Sequence, residues 1–513
     1  MDTSQILSDD IKVVNLNGKF LMPGFQDAHL HLAEAGFNEI MCLFSEVLDN
    51  IADYENELND CASEPDNIDA PWILGAGISV SEMLADTATT PREFLDSLFP
   101  NTPVLILDNV GHGGWVNSKA IIEAGFTVND PVQLQGGILL TKGTNPRVAT
   151  GVIFENAQQK FRDVAFQATD PDQSLAYAGL LKGLATMAEN GITGVSDAGG
   201  YWTRDDHLLW IKAESENKMT VRASNALYVF PDRPVAQQIA DINALFSNDP
   251  NKRVKFNNVK IYIDGILSLG TSSLKSPYSQ SVVGELASEP SYDNGFQYFK
   301  SADLKAYANA FDATGFQMHF HATGDKGAGI ALDVVADAAI TNSTSDRRHR
   351  VTHAYIIDAT DRMRFDDLGV VADFQLNPSS LTPAYKNYLN SIIGSSRSSG
   401  LIPVKSMLDQ GAKVILSSDY DAGPVSPLGT IQRALSRPDN ADQNVASLAQ
   451  AIKMVTLDVA YSLQMEAKTG SIEVGKLADL VVLDKDITLE HAVEIMVIGN
   501  ELKVPMILAT KPN

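Results

Sequence analysis

Short β-rich apolar runs alternate with amphipathic stretches through most of the chain, the pattern of a parallel sheet covered by helices. The runs at 25–31, 192–197, 221–229, 256–263, 316–321, 349–353, 370–375 and 413–418 predict eight strands. Apolar residues at helical spacing lie between most of them. The clearest helix is 171–190, with Asp170 as cap and Pro171 at the first helical position. Leu175, Leu180, Leu181, Leu184 and Met187 form its apolar face, and Gly191 closes it. Eight such units predict an α/β fold, a TIM (β/α)8 barrel, with a doubly wound open sheet as the alternative. In a barrel, chemistry sits at the C-terminal ends of the strands.

Two regions fall outside a bare barrel. Residues 35–165 read as a large insertion after the first strand, with strand-like pieces at Trp72–Leu74, Val104–Leu107 and Gly137–Leu140. The closing stretch 470–510 holds LADLVVLDKD and VEIMVIGNELK, alternating strands that would pair with the strands expected at 11–22. The expected domains are a small β-sandwich from 1–24 and 466–513, and the barrel from 25–465. The chain enters its first strand so early that the N-terminal part of the sandwich reads as incomplete. Ser391–Gly400 (SIIGSSRSSG) reads as a flexible loop over the barrel mouth.

The composition is that of a globular protein: 513 residues, 44% hydrophobic and 20% charged. Lys and Arg number 39 against 64 Asp and Glu, a net charge of −25. No basic stripe is available to replace counterions, so nucleic acid is not an expected partner. The polar, acidic start is no signal peptide and no apolar run reaches membrane-spanning length, so no membrane partner is expected and the default compartment is cytoplasmic. A homodimer is the default assembly. Cys42 and Cys61, the two cysteines, allow one bridge but no disulfide framework and no Cys-type zinc site.

Six of the nine histidines fall in three close pairs. His29 and His31 end the first strand in GFQDAHLHL, and a two-residue spacing on a strand turns both rings to one face. His319 and His321 repeat that spacing in GFQMHFHATGD, and His349 and His353 lie in RHRVTHAYIID. His321 and His353, nearer the strand ends, are the better placed for a metal; His319 and His349 belong a layer deeper, orienting or packing. AKVILSSDYDAG places Asp419 after the last strand. Imidazoles and a carboxylate converging on a barrel mouth suit a borderline divalent metal such as zinc. Lys260, in VKFNNVKIYIDG, would face inward with Tyr262 and Asp264. A lysine buried there must deprotonate or find a partner. Its neutral amine could add carbon dioxide to give a carbamate that bridges two cations; pairing with Asp264 or another carboxylate is the simpler alternative, which spacing alone favours.

These residues resemble the amidohydrolase superfamily, in its YtcJ-like branch of metal-dependent hydrolases. The resemblance rests on LMPGFQDAHLHL (21–32), GHGGWVNS (111–118), ATGVIFENA (149–157), NGITGVSDAG (190–199), VKIYIDG (259–265), HFHATGD (319–325), HRVTHA (349–354), ILSSDYDAGPVSP (415–427) and GSIEVGKLADLVVLD (470–484). It implies a distorted TIM barrel with a small β-sandwich. By similarity His29, His31, His321, His353 and Asp419 are metal-site residues, Lys260 is the candidate carboxylated bridge, and one or two zinc ions are bound. It also places His112, Trp115 and Asn117 near a small-molecule substrate, the alternative being that this tryptophan fills the insertion's own core.

The expected activity is hydrolysis of a non-peptide carbon–nitrogen bond: an amide, formamide or cyclic amide. Asp419 would move the proton, and His321 or His112 would polarise the carbonyl. Hydrolysis of a lactone or other ester at the same site, and an inactive binding or regulatory relative, are the alternatives. Gly75-Ala76-Gly77 lacks the third glycine of a dinucleotide motif and reads as a turn.

Overall fold

The computed structural model describes residues 14–34, 41–44, 48, 51–64, 70–79, 89–279, 293–488 and 506–508, the last three by backbone alone. Its seventeen strands are β1 Phe20–Pro23, β2 Phe25–Leu30, β3 Cys42–Leu43, β4 Ile73–Ile78, β5 Val104–Asp108, β6 Gly113–Val116, β7 Gly137–Lys142, β8 Val148–Glu155, β9 Ile192–Asp197, β10 Arg222–Tyr228, β11 Val254–Tyr262, β12 Gln317–Ala322, β13 Arg350–His353, β14 Val371–Gln375, β15 Val414–Ser417, β16 Leu480–Leu483 and β17 Met506–Leu508.

Eight parallel strands form one sheet in the order β15-β14-β13-β12-β11-β10-β9-β2, the eight that the hydrophobic runs predict. Past its last strand the sheet closes into a barrel by a backbone seam: Asp419 N donates to His29 O (2.9 Å) and His31 N to Tyr420 O (2.5 Å). The Asp27 carboxylate secures the same seam by accepting Ser418 N at 3.1 Å. Period-two alternation sets the two faces. Val259 and Ile261 join the core under the helices, with Met318 and Phe320 beside them. Lys260 and His319 alternate with these residues, and register pairs them across β11 and β12, with Tyr262 opposite His321 one step up. Each apolar side chain fully buried on the helix-covered face contributes roughly 1.5–3 kcal/mol.

The insertion builds a second sheet, ordered β3-β4-β5-β6-β8-β7, parallel from β3 to β5 and antiparallel beyond. Ile51, Tyr54, Leu58, Leu95, Ile106, Trp115 and Phe154 form a core of their own beside it. Thr90 and Glu93 cap the helix Pro91–Leu98 reciprocally, and Cys42 and Cys61 form a disulfide. Gly75–Gly77 lies inside β4 and is not a turn: the extended chain passes so close to Phe44 that a Cβ on Gly77 would meet its carbonyl oxygen at 2.4 Å. A third, antiparallel sheet, β1-β16-β17, joins the two ends of the chain. Arg222 ties it to the barrel through Asp479 (Nε–Oδ2 2.7 Å). Of the stretch VEIMVIGNELK, nothing lies within the described residues.

Two further local expectations are corrected. The helix expected from 171 begins at Ser174, because Asp170 accepts the amides of Leu175 (3.2 Å) and Ala176 (2.8 Å) and leaves 171–173 as a turn. Leu175 is consequently exposed and off the apolar face. The stretch 391–400 is not a loop but the end of the helix Pro383–Ile393 and a short helix Ser395–Ser398, held down by Arg397 on the carbonyls of Ser276 (2.8 Å) and Pro277 (2.6 Å). Among the described residues, no helix is long and apolar enough to cross a membrane.

Candidate active site

The C-terminal mouth of the barrel gathers the histidines. His29 Nε2 lies 2.9 Å and His31 Nε2 3.6 Å from Asp419 Oδ1, and His353 Nδ1 lies 4.0 Å from Oδ2. The His321 ring is 4.4 Å from that of His353. His353 (φ 74°) and Asp419 (φ 56°) both hold left-handed backbone, which is costly for a histidine and points to a constrained site.

A layer deeper, partners fix these rings. Arg350 Nη2 donates to His319 Nδ1 at 2.9 Å, so the His319 hydrogen sits on Nε2, 2.8 Å from His29 Nδ1 and 2.7 Å from Thr352 Oγ1. Asp373 accepts from Ser417 (2.6 Å) and Thr352 (3.1 Å). His349 Nδ1 accepts Met318 N at 2.9 Å, away from the mouth. Glu34 holds His31 Nδ1 at 3.1 Å and is itself held by Arg162 at 2.7 Å.

Lys260 is fully buried, its Nζ 3.4 Å from His29 Nδ1 and 4.9 Å from the centre of the Tyr262 ring. It does not pair with Asp264, whose carboxylate accepts the amides of Ser273 (2.8 Å), Thr323 (2.9 Å) and Gly324 (3.0 Å). Burial brings the Lys260 pKa down to about 7 against the opposing pull of Asp419. Burial lowers His353 to about 3 and drives His321 well below its usual range. Burial acts the same way on His31, but the Asp419 and Glu34 carboxylates outweigh it and raise that pKa to about 10. Asp419 stays ionised: burial opposes this, and His29 leads the groups that overcome it.

Donor atoms of His29, His353 and Asp419 lie within 4.8 Å of one another, close enough to share a cation, as do those of His29, His319 and Asp373. In the second group Arg350, Thr352 and Ser417 already occupy His319 and Asp373, so the first is the candidate. His321 supports it. Its Nε2 faces the Gly265 carbonyl at 3.2 Å, which can only accept, so Nε2 carries the hydrogen. That leaves a lone pair on Nδ1, which is buried and without a hydrogen-bond partner among the described residues. An N/O donor set of this kind fits a borderline divalent metal.

The residues expected near substrate separate. His112 lines both cavities at the mouth. Trp115 does not: it is fully buried in the insertion core, 5.5 Å from the Tyr54 ring. Asn117 is also fully buried, capping the helix Ser118–Glu123 and bonded to Ala120 N (2.9 Å) and Val104 N (3.1 Å). Sequence reasoning overlooked Glu34, Arg162, Glu155 and Asp108. Glu155 and Asp108 carry one common signal, a lone carboxylate ending an apolar strand, in VATGVIFE and VLILD.

The chain is 26% identical over 497 residues to an N-substituted formamide deformylase of Arthrobacter pascens, covering 93% of this chain and 85% of the relative. It is 26% identical over 494 residues to the putative amidohydrolase YtcJ of Bacillus subtilis, covering 93% and 86%. An uncharacterised metal-dependent hydrolase from Pyrococcus horikoshii shares the fold, with a TM-score of 0.69 at 21% identity over 94% of this chain and 89% of that one. Residues 12–498 match the family model described as "Amidohydrolase family", and the chain belongs to that family.

Proposed function

We propose that the protein is a metal-dependent hydrolase of non-peptide carbon–nitrogen bonds in an amide, formamide or cyclic amide. The observation that carries this reading is the convergence of His29, His31, His353 and Asp419 at the barrel mouth, with the unpartnered Nδ1 of His321 beside them. In it, His29, His31, His321, His353 and Asp419 hold one or two divalent cations, most simply zinc, and Lys260 is the further ligand once carboxylated. A lysine pKa near 7 supports the last assignment, because only the neutral amine adds carbon dioxide.

A divalent cation in such a set supplies Lewis acidity, polarising a carbonyl and making water acidic enough to attack near pH ~7. The protein's own groups do the rest. Ionised Asp419 accepts the proton of the attacking water as the new C–O bond forms. It then returns that proton to the nitrogen as the C–N bond breaks, releasing amine and acid. His112, reaching the same cavity from the insertion, hydrogen-bonds the carbonyl oxygen as charge builds on it.

The test is elemental analysis of the purified protein together with a substrate panel of matched formamides, amides, cyclic amides and lactones. At least one metal per chain and turnover of the nitrogen compounds is the expected result. Turnover of lactones alone would move the activity to esters, and metal below one per chain with no turnover would mark an inactive binding relative.

A further inference from the structure

Three neighbouring barrel strands deliver tyrosines to one side of the mouth. Tyr228 ends β10, Tyr262 ends β11, and Tyr201 follows β9. Their rings form a row, with centres 5.1 Å apart from Tyr201 to Tyr228 and 5.6 Å from Tyr228 to Tyr262, and Tyr262 stacks on His321 at 4.3 Å. The Arg204 guanidinium, 4.5 Å from the centre of the Tyr201 ring, fixes the far end of the row. Tyr201 and Tyr228 are each only 3% exposed. Yet none of the three hydroxyls has a hydrogen-bond partner among the described residues, and none is sealed off in the packing. Buried polar groups are normally bonded, so three open phenols call for a partner from outside the chain. Burial keeps the Tyr201 and Tyr228 hydroxyls protonated, raising both well above the usual phenol range.

The three tyrosines line a cavity of about 80 Å³ that also touches His112, His353 and Asp419. At roughly 30 Å³ for a water, it has room for about three of them, or for a chain of about three or four heavy atoms. Across His112, His353 and Asp419 lies a larger cavity of about 470 Å³, walled in part by Leu269, Tyr385 and Tyr388. A scissile group held at Asp419 therefore has one small space and one large space beside it. The charged groups around the small cavity are already opposed. Glu34 holds His31 and Arg162, Glu155 holds His112, Asp419 faces His29 and His31, and Asp421 acts on Arg162. An uncharged group entering here leaves those pairs intact, and what it must supply is an acceptor for the phenolic hydrogens.

We propose that this cavity is a substrate subsite for a short, uncharged acyl group carrying a hydrogen-bond-accepting oxygen, bound by the hydroxyls of Tyr201, Tyr228 and Tyr262. The proposal rests on the hydrolase reading for the position of the scissile bond.

Matched amides test it on the metal-loaded enzyme. N-Benzyl-2-methoxyacetamide and N-benzylbutanamide differ only by an ether oxygen in place of a methylene, and their benzyl group fits only the larger cavity. The expected kcat/KM favours the methoxy compound by about tenfold. Tyr201→Phe and Tyr228→Phe keep the rings and remove the donors, so each should cut this preference by about threefold to tenfold and the double variant should erase it. The inductive effect of the ether oxygen is the same in every variant and cancels from these ratios. Calorimetric binding of the two ketone analogues, 1-methoxy-4-phenylbutan-2-one and 1-phenylhexan-3-one, which have no C–N bond, separates subsite from reaction. Tighter binding of the methoxy ketone without turnover of either amide would sink the hydrolase reading and leave the subsite standing. Turnover of both amides with no preference, or a preference that both folded variants retain, would overturn the subsite and leave the hydrolase. Should the variants not fold, the binding order of the ketones on the wild-type protein decides.

Discussion

His112 Nδ1 lies 2.7 Å from Glu155 Oε2, and Glu155 also accepts from Tyr298 (2.6 Å) and Thr271 (2.5 Å). The backbone at Glu155 adopts φ 58° to make this reach, and the carboxylate is wholly buried. With Nδ1 committed to Glu155, His112 has Nε2 left for the cavity. Burial disfavours the imidazolium, but Glu155 outweighs it and raises the His112 pKa. Glu155→Gln should therefore lower kcat by about tenfold to a hundredfold with KM little changed, acting through His112. Steady-state kinetics of Glu155→Gln, His112→Ala and the double variant check this. Full additivity would mean that the two residues act separately.

Asp419 touches both His29 and His31, which leaves the two tasks assigned to it separable. Asp419→Asn retains an oxygen donor but has no basic carboxylate, so turnover should fall by about a hundredfold to ten-thousandfold. Metal content, measured on the same preparation, should stay near the wild-type value. Undiminished turnover would remove Asp419 from proton transfer, whatever the metal content.

Lys260 offers a chemical handle on the same centre. Replacement by Ala removes the amine that carbon dioxide would modify, so bound metal and activity should both drop. If a carbamate is the ligand, small carboxylates such as acetate should restore part of the activity. Intact mass measured under carbon dioxide-rich, native conditions should show the wild-type adduct and none on Lys260→Ala. An unmodified wild-type chain with full activity would exclude the carbamate.

The barrel was legible because its alternation is unusually clean. Val259, Ile261, Met318 and Phe320 face the helices, and the polar residues between them cannot do so without losing their partners. The histidine pairs were legible for the same reason, since spacing on a strand determines facing. What stayed hidden depends on separation along the chain: Glu155 meets His112 across 43 residues, and no local period reports that. Trp115 misled in the opposite sense. It lies in a stretch of polar and small residues that reads as pocket lining, while the ring turns to the other face of β6.

Trp115 gives a stability prediction that follows from this placement. Its ring is fully buried against Tyr54, and its Nε1 has no acceptor among the described residues. Trp115→Ala should destabilise the insertion by roughly 3–5 kcal/mol through the cavity it leaves. Trp115→Phe keeps most of the apolar volume and discards an unsatisfied N–H, so it should cost far less. Chemical denaturation measures both. Folded Trp115→Phe should keep the wild-type KM; a large rise in KM would return this residue to the substrate pocket.

Asp312 gives the molecule an acid-sensitive buttress beneath the barrel. Its carboxylate accepts from Thr344 (2.7 Å), Asn342 (2.8 Å) and Arg347 (3.2 Å), and His349 Nε2 stands 3.4 Å away. Burial would raise its pKa, but the bonds from His349, Thr344 and Asn342 outweigh it and hold the carboxyl below the usual carboxylate range. A depressed pKa contributes stability that is present above the unfolded value of about 3.9 and is lost as pH falls through the folded one. Asp312→Asn should cost roughly 1–3 kcal/mol near neutral pH, where the ionised carboxylate makes its bonds. The gap between variant and wild type should narrow steadily as pH falls below about 4, because the carboxyl of the unfolded wild-type chain takes up a proton there while the folded one stays ionised. Urea denaturation from pH 3 to pH 7 reads this gap directly. A difference that stays constant across the range would mean that Asp312 stabilises by shape and not by charge.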